Sequence, residues 1–378
     1  MNFLHKCFVF TLLISSFNFA QNDKDDSVHQ FNIIYQVEST PVSSQDKTGT
    51  CWCFATQSYL ETELLRMGKG EYNLSEMFVV RNTFPLKAEK YIRYHGLSNF
   101  GQGGQAHDVL LVMENFGLVP EEVYTGKPLN EEKHNHSEMT AVLKGALDAV
   151  INTKGKISPN WKEVCESVLD IYLGEIPETF IYNEEEYTPR SFADMLGLNP
   201  DDYIEITSYQ YHPYYEKFVL EIPDNWTNTE YYNIPIDELM QLIDYAIENG
   251  YSVAWDGDTS EKTFYRKKGY AVIPIDEDDT SESEDEEMKP EVEKVITQEM
   301  REETFNSFLT TDDHLMHITG IAENQEGTKF YYTKNSWGTK YKYDGYWYMS
   351  ESFVRLKTIA IMVHIDAVPQ DIRTKLGI

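Results

Sequence analysis

Basic residues are in short supply. The 32 Lys and Arg stand against 63 Asp and Glu in 378 residues, a formal net charge of −31. A field of that sign repels phosphate backbones and anionic lipid surfaces, which excludes a nucleic-acid or membrane-surface role. Long apolar runs are missing too. The longest, Cys7 to Phe17 behind Lys6, is too short to span a bilayer and is flanked like a secretory h-region. Cysteine is scarce, with four in the chain. No internal repeat is found, and no metal-binding set: His134 and His136 have no Cys or acidic partner at ligand spacing, so they read as part of a solvated loop. No cofactor or metal is expected.

What is present is aromatic. With 26 Tyr, 19 Phe, 6 Trp and 41% apolar residues, the chain has the large side chains a globular protein needs. Its length suits a packed domain plus a large insertion or a second lobe. Residues 1–20 read as a signal peptide, which predicts export to the periplasm or beyond. A cut after Ala20 would leave Asn18 at the −3 position, where a small residue is usual. The remaining cysteines are Cys51, Cys53 and Cys165, and an odd count leaves at least one thiol unpaired. Residues 21–34 read as a flexible leader.

Beyond it, apolar residues recur at helical spacing from Cys51 to the stop at Gly68 and Gly70, over Leu74–Leu86, over Ala106–Phe116 before Gly117, and twice between 137 and 172. Short β-branched and aromatic runs follow at Ser252–Trp255, Met316–Ala322, Phe330–Lys334 and Tyr346–Met349. Helices first and strands second predict an α+β protein with a helical lobe and an antiparallel sheet lobe. The run Asp276–Glu287 carries nine acidic residues in twelve and reads as a solvated loop, without the glycine and spacing of a calcium site.

Chemistry concentrates in Gln45–Phe54, QDKTGTCWCF, which puts Cys51 in the first turn of a helix. A helix N-terminus favours the thiolate, the nucleophilic form. A lone Cys beside Trp52 and Phe54 is more often an inert small hydrophobe. Gln45, six residues upstream, changes that balance, because its amide N–H and the Cys51 backbone N–H could together hold an oxyanion.

The segment resembles the papain-like cysteine peptidases, in which a Gln stands six residues before a Cys-Trp pair, as Gln45, Cys51 and Trp52 do here. Asn335-Ser336-Trp337-Gly338 reproduces a second run of that family, after a strand and before an aromatic turn. The histidine is His314 or His317. Gly320 stands six positions beyond His314, as the family requires, and alternation along a strand turns the two rings to opposite faces. His314 is therefore the choice. The resemblance implies a Cys51-His314-Asn335 thiolate mechanism: His314 as base and then acid, Asn335 orienting its ring, Trp337 shielding that bond from water.

A closer resemblance is to the bleomycin hydrolase and aminopeptidase C branch, over most of residues 35–365. Its carriers are Gln102-Gly103-Gly104-Gln105, Phe116-Gly117-Leu118-Val119-Pro120, Asn249-Gly250-Tyr251-Ser252-Val253-Ala254-Trp255 and His314-Leu315-Met316. Thr48, where papain has a disulfide cysteine, and Cys53, in place of the usual Ala, depart from the pattern. The resemblance implies a two-lobe peptidase domain over 35–378: a mainly helical lobe at 35–127, a helical insertion at 128–233, a mainly sheet lobe at 234–365 and a tail at 366–378. It implies peptide substrates, trimming from the N-terminus, and substrate contact at Gly103, Gly104 and Trp337. The tail would lie in the cleft, with the Ile378 carboxylate pairing the substrate's α-ammonium; a frayed end is the rival reading. A homo-oligomer is conceivable, but the chain is shorter than usual for the branch, which counts against its barrel-shaped hexamer. An endopeptidase on the same fold and a silent peptide-binding relative are the alternatives.

Overall fold

In the computed structural model, which describes residues 28–128, 132–275 and 290–378, helices fill the first half of the chain and strands the second. The expected signal peptide, the expected leader up to residue 27 and the acidic run 276–287 lie outside the described residues. The helices are α1 (Cys51–Arg66), α2 (Glu76–Arg93), α3 (Ala106–Phe116), α4 (Ser137–Ile151), α5 (Trp161–Leu173), α6 (Pro189–Leu196), α7 (Ile236–Glu248), α8 (Gln298–Asn306), α9 (Glu351–Lys357) and α10 (Gln370–Leu376). The first strands are β1 (Asn32–Gln36), the small hairpin β2 (Phe180–Tyr182) and β3 (Glu185–Tyr187), then β4 (Tyr203–Thr207), β5 (Lys217–Val219) and β6 (Glu230–Asn233). The later strands are β7 (Val253–Gly257), β8 (Phe264–Tyr265), β9 (Tyr270–Ala271), β10 (His314–Glu323), β11 (Lys329–Lys334), β12 (Tyr346–Ser350) and β13 (Thr358–His364).

Eleven strands form one sheet in the order β5-β6-β4-β13-β7-β10-β11-β12-β9-β8, with β1 added to β10. The sheet is mixed, since β4 runs parallel to β6 and β9 parallel to β12, whereas the sequence predicts an antiparallel one. Its central strand, β10, is buried on both faces. Leu315 packs into the helical-lobe core with Trp52, Phe54 and Ala254. Met316 and Ile318 pack into the other core, with Leu239 and Ile243 of α7 and Trp255 of β7. The period-two alternation of a strand thus separates the two cores.

Local chemistry sets the helix ends near the site. Ser75 caps α2 by accepting from Phe78 N (3.0 Å). The sequence predicts a stop at Leu86, yet α2 continues through Pro85 to Arg93. Ala88 and Tyr91 in the extra turns are buried, and that packing outweighs the hydrogen bond the proline removes. At α3, Asp108 Oδ2 accepts from Gln105 N (3.0 Å), closing a capping box, and Gly117 ends the helix at φ 89°.

Three expectations are corrected. The leader is not flexible as far as residue 34: His29 is buried against Phe31, Tyr270 and Phe330, and β1 pairs with β10. The polar-looking stretch conceals the aromatic docking of His29. The insertion is not wholly helical, because from Tyr203 onward it supplies β4, β5 and β6 to the main sheet through the β4–β13 ladder. His134 and His136 are buried, not solvated, with both imidazoles pushed down to about 4 by burial. Their loop packs on the Gln45 segment, Lys47 N donating to His134 O (3.1 Å) and His134 N to Asp46 Oδ2 (3.1 Å).

Candidate active site

Cys51 is the first residue of α1, and Thr50 before it makes no side-chain cap. The helix end alone would favour a thiolate, but the residue is buried, and burial dominates. It pushes the thiol up to about 12; the backbone N–H of Leu315 pulls the other way, and the carboxylates of Asp312, Asp256 and Asp224 push further up. Burial thus opposes the lowering that the helix N-terminus provides.

His314 opens β10, one residue before the Leu315 N–H that faces the thiol. Its Nε2–H donates to Asn335 Oδ1 (2.8 Å), and Ser336 N donates to the same oxygen (2.7 Å). Two donors on one atom fix that atom as the amide oxygen, so Nε2 carries the hydrogen and Nδ1 keeps its lone pair. Burial lowers the imidazole to about 4, against the Asn335 bond that raises it, with Arg266 adding a further lowering. Burial thus pushes the thiol up and the imidazole down, each toward its neutral form.

The Trp337 ring covers His314, with centroids 4.8 Å apart at 31°, and the Arg266 guanidinium lies 5.0 Å over Trp337. Gln45 is held from both sides: Ser336 Oγ donates to its Oε1 (2.6 Å), and its Nε2 donates to Thr48 O (2.6 Å). One of the two Nε2 hydrogens is used there, and one remains.

The Gly103-Gly104 turn is tied to the same place. Trp52 Nε1 donates to Gln102 O (2.8 Å) and Gly49 N to Gln102 Oε1 (2.8 Å). The buried Lys87 ammonium donates to the carbonyls of Gly101 and Gly103. A Cβ at 104 would strike the Asp108 carboxylate and the buried Trp52 ring, and one at 103 would displace the Asp224 carboxylate that rests on it.

Two residues lie elsewhere. His317, on the opposite face of β10, is fully buried with Nδ1 2.9 Å from Ser58 Oγ, in a network where Lys334 Nζ donates to Ser58 Oγ (2.7 Å) and Thr40 O (2.7 Å). Ile378 is neither in the cleft nor frayed. Ile372, Leu376 and Ile378 of the tail join the α7 side of the sheet, and Lys375 Nζ pairs with Glu238 Oε1 of α7 (2.9 Å). The cleft tail is thus corrected: the apolar residues of α10 draw the C-terminus to the sheet face opposite α1. Sequence reasoning missed Arg266 and the three aspartates around Cys51. The only available signal was their adjacency to motif residues, Asp312 two before His314 and Asp256 after Trp255.

A family model described as the Peptidase C1-like family matches residues 91–377. The chain belongs to that family and is a cysteine peptidase. It is 24% identical to mouse bleomycin hydrolase over 395 residues, covering 91% of this chain and 84% of that protein. Against aminopeptidase C of Lactobacillus helveticus the identity is 20%, with 89% and 82% covered. The crystal structure of PepW from Lactobacillus rhamnosis superposes with a TM-score of 0.72 at 19% identity over 92% of this chain and 84% of that one, which shows a shared fold.

Proposed function

We propose that the protein is an exported aminopeptidase in which Cys51 is the nucleophile, His314 the base, Asn335 its orienter and Gln45 an oxyanion donor. The observation that carries this reading is the His314–Asn335 bond under Trp337, made in the tautomer that leaves Nδ1 free to accept the thiol proton. Cys51 Sγ passes its proton to Nδ1, and the sulfur attacks the scissile carbonyl. The remaining Gln45 Nε2–H and the Cys51 N–H receive the oxyanion. Imidazolium then protonates the leaving amine, and water, deprotonated by the same ring, releases the acyl group from sulfur. Similarity to bleomycin hydrolase and aminopeptidase C supports the aminopeptidase reading over an endopeptidase. The Lys6-led apolar run supports export.

Hydrolysis of free-amine and N-acetylated fluorogenic peptides, with and without iodoacetamide, tests the activity. Free-amine substrates should be preferred, and alkylation should abolish turnover by labelling Cys51 ahead of Cys53 and Cys165. Wild-type turnover by Cys51→Ala would overturn the assignment. Fractionation of expressing cells, with sequencing of the mature N-terminus, tests export.

A further inference from the structure

An enzyme that trims peptides from the N-terminus needs a negative partner near Cys51 for the substrate's ammonium group. Three carboxylates stand where one is required. Asp256 shares the face of Ala254, two residues earlier on β7, which belongs to the helical-lobe core. It lies opposite Leu315, whose N–H faces the Cys51 thiol. Asp256 is 3% exposed, yet neither of its oxygens receives a hydrogen bond in good geometry; its polar neighbours are the Asp312 carboxyl and the Gln105 amide. Gln105 Nε2 donates instead to Asp312 Oδ2 (3.1 Å). The third carboxylate, Asp224, rests on Gly103 and accepts from Asn99 Nδ2 (2.7 Å).

The nearby cations make their hydrogen bonds elsewhere, although the Lys87 charge is felt by Asp224 and Asp312. Lys87 Nζ is taken up by the carbonyls of Gly101 and Gly103, and His107 Nδ1 by Glu205 Oε2 (2.7 Å). Burial and the neighbouring Asp312 raise the Asp256 carboxyl well above the usual carboxylate range, so the pair is uncomfortable as two anions, and a group that brings N–H bonds and positive charge relieves it. Among the described residues no three His, Cys, Asp or Glu side chains converge as a metal site. An ammonium, with three hydrogens to donate, has the matching chemistry. The chain also closes over this point. Trp226 Nε1 donates to Asp108 Oδ2 (2.7 Å), and Thr227 Oγ1 is 2.7 Å from His107 Nε2, so the Asp224–Thr227 segment lies across the Gly103 turn and the start of α3.

We propose that Asp256 and Asp312 receive the α-ammonium of the peptide substrate, that the Asp224 carboxylate adds negative charge beside them, and that the Asp224–Thr227 segment ends the groove just beyond. The proposal rests on the peptidase reading and names how that site selects a free N-terminus.

Binding to the Cys51→Ala protein, measured by titration calorimetry, separates the two. One peptide sequence is used with a free N-terminus, with an acetylated one, and acetylated with an added lysine. The free form should bind at least tenfold more tightly than the acetylated form. Asp256→Asn combined with Asp312→Asn should bring that ratio to within twofold. Asp224→Asn, on a partly exposed segment, should lower it by several-fold and serves if the double variant fails to fold. Equal binding of free and acetylated peptides, or an unchanged ratio in the variants, would overturn the proposal. So would rescue by the lysine, which would assign the pocket to a basic side chain. Failure of the peptidase reading shows separately, as wild-type protein that binds these peptides without thiol-dependent hydrolysis.

Discussion

The hydroxyl of Ser336 donates to Gln45 Oε1 over 2.6 Å, joining the residue after Asn335 to the amide proposed to hold the oxyanion. Gln45 N also donates to Ser336 O (2.9 Å), so the two segments, nearly 300 positions apart, are bonded at backbone and side chain. One short run, Asn335-Ser336, thereby orients both the base and the oxyanion donor.

Removing that hydroxyl tests the link. Ser336→Ala should lower kcat by about five- to tenfold with KM unchanged, the effect of losing roughly 1 kcal/mol of orientation. Gln45→Ala should cost about a hundredfold. Combined, the two should cost no more than Gln45→Ala alone, because the serine acts through the glutamine. Full additivity in steady-state kinetics would show that Ser336 acts independently.

The two histidines should separate by type of damage. His314→Ala should remove several orders of magnitude of turnover, since one ring both takes and returns the proton. His317→Ala should leave kcat near wild type and lower stability by about 1–3 kcal/mol in chemical denaturation, because the buried Ser58 hydroxyl, which already accepts from Lys334, loses the acceptor for its own hydrogen. The opposite ranking would exchange their roles.

The acid limb of kcat/KM reports on His314 in the free enzyme. With its imidazole held down to about 4, the ring stays neutral and able to accept a proton well below pH 6, so activity should fall only as pH approaches that value. Arg266→Gln removes a positive charge that lowers His314, and the limb should move to higher pH. The shift should shrink in high salt, since Arg266 is exposed. A pH–rate profile that ignores Arg266 would place its charge too far from the ring to matter.

Stability has its own pH signature at Glu61. Burial raises this carboxyl from 4.5 to about 7, against hydrogen bonds from Thr40 and Leu74 and the nearby Lys334 ammonium. Folded protein then holds a proton that the unfolded chain has lost between those values, so Glu61 makes stability fall as pH rises from 4.5 to about 7. Glu61→Gln should flatten the dependence of Tm on pH across that window. An unaltered slope would assign it to other groups.

Much of this was legible in the sequence where residue type and position coincide. The start of α1 at Cys51 and the full span of α3 follow from apolar spacing and Gly117, and the strand parity of His314 and His317 follows from period two alone. What stayed hidden depends on distant partners. The thiol's rise comes first from burial and then from Asp312, Asp256 and Asp224, and only the fold supplies that burial and brings the aspartates to Cys51. The docking of His29 needs Tyr270 and Phe330, and the direction of the tail is set by the α7 face it covers.

The addition of β1 to β10 bears on how far the chain can be trimmed. β10 has two halves: His314–Ile318 pairs with β7, and Gly320–Glu323 takes Asn32–Gln36 in its place. A cut upstream of Val28 leaves that ladder whole. A cut beyond Gln36 would open the far half of the strand that begins with His314, exposing a row of unpaired N–H and C=O groups on an apolar strand, the geometry that recruits a second chain. Trimmed past that point, the enzyme should be limited by aggregation before it is limited by chemistry.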